Sequence, residues 1–503
     1  MSIVAARRSD PIPATQTRDP LRRRPEVLAV LALTCLYFAV IGGHSYSIDG
    51  LLIYRQALSI VQNFSLQFGT PVFWGHIWPT SISGIGLALL YVPGVLVLTK
   101  AGLGVPTPTP GPGDWDLFYR DAVYAIGAAP VQILIAVATA YLVFRLVRSL
   151  GFGSSTALLA LAAYGVASPA IVYAREDFPQ PLLGLCFIAG LLAAKRYRDS
   201  GSVAALCGTG AILVLAVLTR QLEGSFLFPA LVLMVIPNLH PGRWHSGTYR
   251  AIAIIGASYA IAVGLTLTVD WLRFGSPFVT GYGKVSWGTP PWIGIPGDLV
   301  SPARGILWQF PLIVLAPLGL RRVWSTPYRR TALVMGALIL VLFFHSALFI
   351  PWWGGWDWGA RLFVPVLPLV AVFAAIGALS LRSPIRVWLT AGLFAAGVVW
   401  AIPGTVTDLL GGYAGMYDGT AHSFLLSGYP PIGAWQFVHH LRATNLADSN
   451  AIDILWFRIA RYTSNASMIV PVVLGLSAVA LAWKAISVQP SAETLPAVRA
   501  TGG

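Results

Sequence analysis

The chain has 503 residues, 56% of them hydrophobic and 10% charged, with a formal net charge of +14. Soluble globular domains carry about 25% charged residues, so the composition excludes a water-soluble enzyme and points to a polytopic membrane protein. Cys35, Cys186 and Cys207 all fall in apolar stretches, which excludes an external disulfide framework.

Residues 1–25 form a basic N-terminus with Arg7, Arg8, Arg18, Arg22, Arg23 and Arg24. The basic stretch is long and no small-residue cleavage site follows the first apolar run, so it does not read as a cleaved signal peptide. Apolar segments then fall near 26–43, 122–143, 154–173, 179–194, 202–218, 224–239, 251–269, 305–320, 331–350, 362–381, 387–403 and 468–486. Each is long enough to be expected as a helix near or through a bilayer core. A further segment near 84–99 contains Gly84, Gly86, Pro93 and Gly94 and reads as a helix dipping into the outer leaflet.

That reading yields an all-α polytopic protein with about twelve transmembrane helices and both termini cytoplasmic. It places 21 of the 33 Lys/Arg inside and 14 of the 19 Asp/Glu outside, as the orientation rule prefers. The basic excess is then an insertion signal at the inner leaflet rather than a nucleic-acid surface. Arginine outnumbers lysine 29 to 4, a balance expected of a bacterial chain and hence of a bacterial inner membrane. The expected organisation is a cytoplasmic segment 1–25, a transmembrane catalytic domain 26–403 that includes an external loop 44–120, a second external loop 404–464, a last helix within 465–487, and a cytoplasmic tail 488–503.

The external stretches carry the chemistry. In "GHSYSIDGLLIYRQA", Ser47 reads as the N-cap of a helix whose apolar side (Leu51, Leu52, Ala57, Leu58, Val61) is expected to rest in lipid. Asp49 falls in its first turn, where the helix dipole favours a carboxylate; capping and catalysis both suit it. "YAREDFPQP" sets Arg175, Glu176 and Asp177 at a span end, where three adjacent ionisable groups need pairing or a wet cavity. They anchor the helix end or serve function. "TRQLEG" has the spacing of a structural i,i+3 pair between Arg220 and Glu223.

The loop 270–304 brings Tyr282, Lys284 and Arg304 among Gly and Pro, and "PWWGGWDWGAR" packs Trp352, Trp353, Trp356, Asp357, Trp358 and Arg361 together. Such tryptophans make an interface belt or a sugar-stacking surface beside a phosphate-binding arginine. In 404–464, His439 and His440 lack the tight ligand spacing of a metal site.

The order of these motifs resembles the GT-C superfamily of membrane glycosyltransferases that use polyprenyl-phosphate-linked sugars. The resemblance is nearest the bacterial group related to protein O-mannosyltransferases and lipid A aminoarabinose transferases. It rests on "YSIDGLLIYRQA", the helix 84–99, "VYAREDFPQPLLGL", "RFGSPFVTGYG", "SPARGILWQFPL" and "WWGGWDWGARLFVPVLP", and covers most of the first ten spans.

The resemblance implies interfacial helices in the first external loop and an external acid after the first span acting as catalytic base, which falls on Asp49. It makes Arg55, Arg220, Arg304 and Arg361 candidates for the lipid phosphate. Tyr282, Lys284, Trp353, Trp356 and Asp357 become candidates for sugar or acceptor. Some relatives carry two adjacent acids after the first span; here Ile48 and Gly50 flank Asp49, leaving Glu176 or Asp177 to supply a second carboxylate. Oligosaccharide-transferring relatives bind a divalent metal through separated external acids, a role open here to Asp49 with Glu176 or Asp177, whereas lipid-monosaccharide users generally need none, so no cofactor is expected to be required.

The expected partners are a polyprenyl-phosphate-linked sugar donor, a glycan, lipid or protein acceptor, and membrane lipids, with no nucleic acid. The expected activity is an inverting hexosyl or pentosyl transfer to a hydroxyl. A transporter or flippase of lipid-linked sugars would instead place ionisable residues at mid-membrane on repeat-related broken helices, and a lipid-linked glycan polymerase or ligase would share the external acid.

Overall fold

The computed structural model describes residues 24–42, 47–68, 72–73, 76–77, 79–102, 122–236, 244–281, 287–355, 357–407, 423–429, 432–433, 454–462 and 465–487. Tyr282, Lys284 and Trp356, the stretch 105–114 and most of the loop 404–464, with His439 and His440, lie outside the described residues.

All twelve predicted apolar segments are helical over much of their length. In chain order the elements are α1 (Pro25–Ala39), α2 (Ile48–Asn63), β1 (Val72–Phe73), β2 (His76–Ile77), α3 (Gly86–Lys100), α4 (Ala122–Ser149), α5 (Ser154–Gly165), α6 (Ala170–Tyr173) and α7 (Gln180–Ser200). There follow α8 (Val203–Thr219), α9 (Gln221–Ser225), α10 (Leu227–Val235), α11 (Ser246–Phe274), α12 (Pro291–Val300), α13 (Ile306–Gln309), α14 (Ala316–Trp324) and α15 (Arg329–Leu348). The last four are α16 (Leu367–Ala378), α17 (Ser383–Val406), α18 (Leu455–Tyr462) and α19 (Ile469–Ser487). Short 3-10 turns, Pro311–Leu315 and Arg361–Val366, lead into α14 and α16. By length and composition six of these helical segments can cross a bilayer, and the chain is a multi-pass membrane protein.

Burial sorts the helices. All twelve residues of α16 are buried, so this uniformly apolar helix is the middle of the bundle. Its backbone touches that of its neighbour: a Cβ on Gly319 of α14 would lie 1.8 Å from Phe373 O, and one on Gly377 2.0 Å from Leu315 O. Small residues allow this closeness where no hydrophobic gain drives helices together in lipid. By contrast α11 and α19 are covered over only 11% and 6% of their apolar windows, as expected of helices whose sides meet lipid.

The stretch 44–120 departs from expectation in two ways among its described residues. A two-stranded antiparallel ribbon, with Val72 opposite Ile77 and Phe73 opposite His76, interrupts an otherwise helical chain. And α2 does not lay its apolar side in lipid: Leu52, Ile53 and Ala57 are fully buried, because α3 packs over them. Gln56 on α2 is sealed as well, donating to Leu66 O at 2.7 Å and accepting from Thr80 Oγ1 at 3.0 Å. The 15-residue α3 is about 22 Å long, short of the ~30 Å hydrocarbon core. Gly84 and Gly86 let its start press on the end of α8, where a Cβ would meet Leu218 O at 2.2 Å and Thr219 Oγ1 at 2.4 Å.

Candidate active site

The start of α2, the α6–α7 turn and the loop between α15 and α16 meet at one end of the bundle. Ser47 caps α2, accepting from Gly50 N at 2.8 Å. The same hydroxyl donates to Asp177 Oδ1 at 2.9 Å, so Asp177 sits at the positive end of the helix dipole. A glycine is required after Asp49, because a Cβ on Gly50 would fall 1.9 Å from Asp177 Cγ. Asp49 itself accepts from Arg361 Nη1 at 3.2 Å.

Arg361 belongs to a buried chain of charge. Its Nε lies 3.1 Å from Asp357 Oδ2, its guanidinium carbon is 4.8 Å from the Phe178 ring centroid, and Asp357 Oδ1 accepts from Arg304 Nη1. Arg304 also donates to Asp357 O and, at 3.1 Å, to Gly355 O. Gly354, Gly355 and Gly359 adopt φ of 80°, 90° and 72°, a left-handed region that suits glycine; the loop can thereby wrap its carbonyls around the arginine. Gln309 clamps the assembly, donating to Arg304 O and accepting from Ala360 N at 3.1 Å.

Solvent access separates the acids. Arg304 and Asp357 have no exposed side-chain surface, while Asp49 and Arg361 each keep 17%. Glu176 is 1% exposed and neither carboxyl oxygen has a hydrogen-bond partner among the described residues. Burial, with Asp357 and Asp177 nearby, pushes Glu176 well above the usual carboxylate range, Arg175 and Arg361 opposing. Arg175 turns away to donate to Gly404 O at 3.0 Å.

Asp298, unremarked in the sequence, is 2% exposed. It enters because Gly294 and Gly297 of α12 pack against Ala347 O and the Trp352 ring. Burial, aided by Asp357 and countered by the Ser346 hydroxyl, pushes it up to about 8.

Of the sequence candidates, Asp49, Asp177, Asp357 and Arg361 are brought into one linked cluster, and Glu176 lies against it. Arg304 is sealed, with Nη1 held by Asp357 and Nη2 by Gly355 O. Arg55 lies on α2 beyond the first turn and is half-buried. Trp352 and Trp358 are buried rather than presented to an interface. Half-buried Trp353 meets Trp352 edge-on, ring centroids 6.2 Å apart. Asp49 faces Arg361, Asp177 faces Ser47 and Glu176 is sealed, so the three do not converge as metal ligands. Among the described residues no group of three His, Cys, Asp or Glu side chains is placed to hold a metal ion.

A cavity of about 290 Å³ is lined by Arg220, Glu223, Asp270, Arg273 and Trp287, without the acids of the cluster or Arg361 in its wall. Arg220 lines it and pairs with Glu223 as expected, Nε to Oε1 at 2.6 Å, and stands close enough to Arg361 for the two cations to feel each other. Gln221 donates to Asp270 Oδ2 at 2.7 Å and Arg273 to Ser83 O at 2.8 Å along the same wall. Asp270, Arg273 and Trp287 lie outside the sequence candidates, and an acid and a base three apart at the end of an apolar helix are their signal in the chain.

The nearly full-length architecture can be set against known structures. The ArnT of Cupriavidus metallidurans bound to undecaprenyl phosphate superposes with a TM-score of 0.51 at 16% identity, over 92% of this chain and 77% of that one. The chain has the GT-C fold. The oligosaccharyltransferase of Archaeoglobus fulgidus gives a TM-score of 0.47 at 12% identity, over 86% of this chain and 59% of that one. The arabinosyltransferase EmbB of Mycobacterium smegmatis gives 0.44 at 15% identity, over 96% and 42%. The family model for dolichyl-phosphate-mannose-protein mannosyltransferase matches residues 124–266, from α4 into α11. No curated protein matches the sequence.

Proposed function

We propose that the chain is a membrane glycosyltransferase that moves a sugar from a polyprenyl-phosphate donor to an acceptor hydroxyl at the external face of a bacterial inner membrane. The observation that carries this reading is Asp49. On a GT-C fold it is a carboxylate of the cluster that keeps solvent access, held by an arginine that is itself braced from behind.

In this reaction Asp49 takes the proton of the acceptor hydroxyl as that oxygen attacks the anomeric carbon. The carbon–oxygen bond to phosphate breaks on the opposite side, so the centre inverts. The phosphate leaves with the electron pair and its growing charge is met by Arg361. Approach of the phosphate to Arg361 also competes with Asp49 for the guanidinium and frees the base. Asp357 and Arg304 position Arg361 from the protein side. Asp177 and Ser47 fix the start of α2 and therefore Asp49. The reading requires no metal, and the acceptor is a glycan, lipid or protein hydroxyl.

The test uses purified protein in lipid nanodiscs offered a panel of radiolabelled polyprenyl-phosphate sugars with membrane-extracted acceptors. One member of the panel is expected to give turnover, and Asp49→Asn, with wild-type thermal stability, is expected to lose it by at least about 100-fold. Wild-type turnover in Asp49→Asn removes the base; no turnover with any donor removes the transferase.

A further inference from the structure

The cavity that Arg220 lines has one wall the proposed chemistry does not use. Trp287 lines it and is 53% exposed, yet its backbone is firmly held. It bridges Phe349 as an isolated β-pair, the next two amides both donate to Leu348 O at 3.1 and 3.3 Å, and Thr289 Oγ1 donates to Phe349 O at 2.5 Å. The indole N–H is engaged within the protein. It donates inward to His345 Nδ1 at 3.2 Å.

His345 is 6% exposed, walled by Phe226 and Phe349 with ring centroids 5.8 Å away, and its Nε2 faces Glu223 Oε1 at 3.6 Å. Because Nδ1 accepts, the ring proton belongs on Nε2, toward that carboxylate. Glu223 thus sets the tautomer, the tautomer fixes the indole, and the indole lines the cavity. A tryptophan of a membrane-interface belt sits with its N–H in the wet head-group layer; this one has spent its only polar atom on the protein.

The same lining carries Arg220 paired with Glu223, Gln221 hydrogen-bonded to Asp270, and Arg273. Two guanidiniums against two carboxylates leave the lining without net charge, which suits a neutral ligand rich in hydroxyls better than a lone ion. At about 290 Å³ the space lies at the bottom of the ~300–1,000 Å³ range of small-molecule sites, right for one ring rather than a chain of them.

We propose that this cavity is the subsite for a single neutral sugar ring, stacked by its C–H face on Trp287, with His345 as the positioning residue that locks the indole. The inference rests on the glycosyltransferase reading and names the part of the substrate that reading leaves unplaced. The ring comes from the donor or from the acceptor, and the two are separable by experiment.

Binding of undecaprenyl phosphate, bare and carrying the sugar that gives turnover, is measured by titration calorimetry on wild type, Trp287→Phe, Trp287→Ala, His345→Asn and His345→Ala, each checked for wild-type thermal stability. A donor ring on Trp287 makes wild type prefer the glycosylated lipid at least tenfold. Trp287→Ala erases the preference and leaves bare-lipid affinity unchanged, and Trp287→Phe keeps most of it. His345→Asn, whose side-chain oxygen can still accept from the indole, keeps more than His345→Ala. An acceptor ring leaves donor binding untouched and raises acceptor KM tenfold in Trp287→Ala with kcat little changed, which supports the same subsite from the other source. If Trp287→Ala changes neither quantity while turnover persists, the stacking proposal fails and the transferase stands. If wild type turns over no donor at all, it is the functional reading that has failed.

Discussion

Asp357→Asn is the most informative substitution in the cluster. Asp357 sits between two guanidiniums with no exposed side-chain surface, Arg304 on one oxygen and Arg361 Nε 3.1 Å from the other. At 3.1 Å and an effective dielectric of about 20, one such contact is worth about 5 kcal/mol of attraction, largely offset by desolvation of the ions. Removing one partner of a buried pair keeps the desolvation cost and loses the attraction, a net penalty of about 3–5 kcal/mol. Arg304 carries most of it, since it has no exposed surface through which water could compensate. Against a total stability of roughly 5–15 kcal/mol that loss is readily measured by SDS-induced unfolding in mixed micelles followed by circular dichroism.

The companion Arg304→Gln should cost a similar amount. In the double variant the two losses should not add, with a coupling of about 2 kcal/mol or more, because the second change removes the charge the first one stranded. An Asp357→Asn loss under about 1 kcal/mol, or strict additivity in the cycle, would refute the picture of a sealed ion chain bracing Arg361.

Two further outcomes follow from the geometry. Gly50→Ala must push Asp177 away from a Cβ that would otherwise sit 1.9 Å from its Cγ; a loss of about 1–3 kcal/mol and of turnover is expected. Asp177→Ala in the same chain should recover part of the stability, and an unperturbed Gly50→Ala would place α2 differently. The second concerns pH. With Asp298 pushed from an ordinary 3.8 up to about 8, the folded protein holds a proton that the unfolded chain releases. Its stabilising contribution is complete below about pH 4 and is lost as pH rises through about 8. Asp298→Asn should flatten the fall in melting temperature over that window, and an unchanged profile would show that another group carries it.

Much of the fold was legible because a membrane protein writes its elements in hydropathy. Each apolar run must satisfy its own backbone in lipid and therefore becomes helix, which is why every predicted segment has a helical counterpart. The placement of α2 was not legible. Its apolar residues suit lipid and protein equally, and only the covering by α3 decides between them. The tryptophan-rich loop misled in the same way. Trp352 and Trp358 look like an interface belt in the sequence, but the left-handed glycines turn the loop back on Arg304 and bury both rings.

By itself, then, the sequence settled which stretches are helices, that acids gather at the loops between them, and that Asp49 begins a capped helix. These are properties of neighbouring residues and of the solvent around them. Which base meets which acid was decided only in three dimensions: Arg361 reaches Asp49 across 312 positions, Ser47 reaches Asp177 across 130 and Trp287 reaches His345 across 58. A charge buried in a low-dielectric bundle must find an opposite partner wherever packing brings one. Packing, unlike hydropathy, leaves no local mark on the chain.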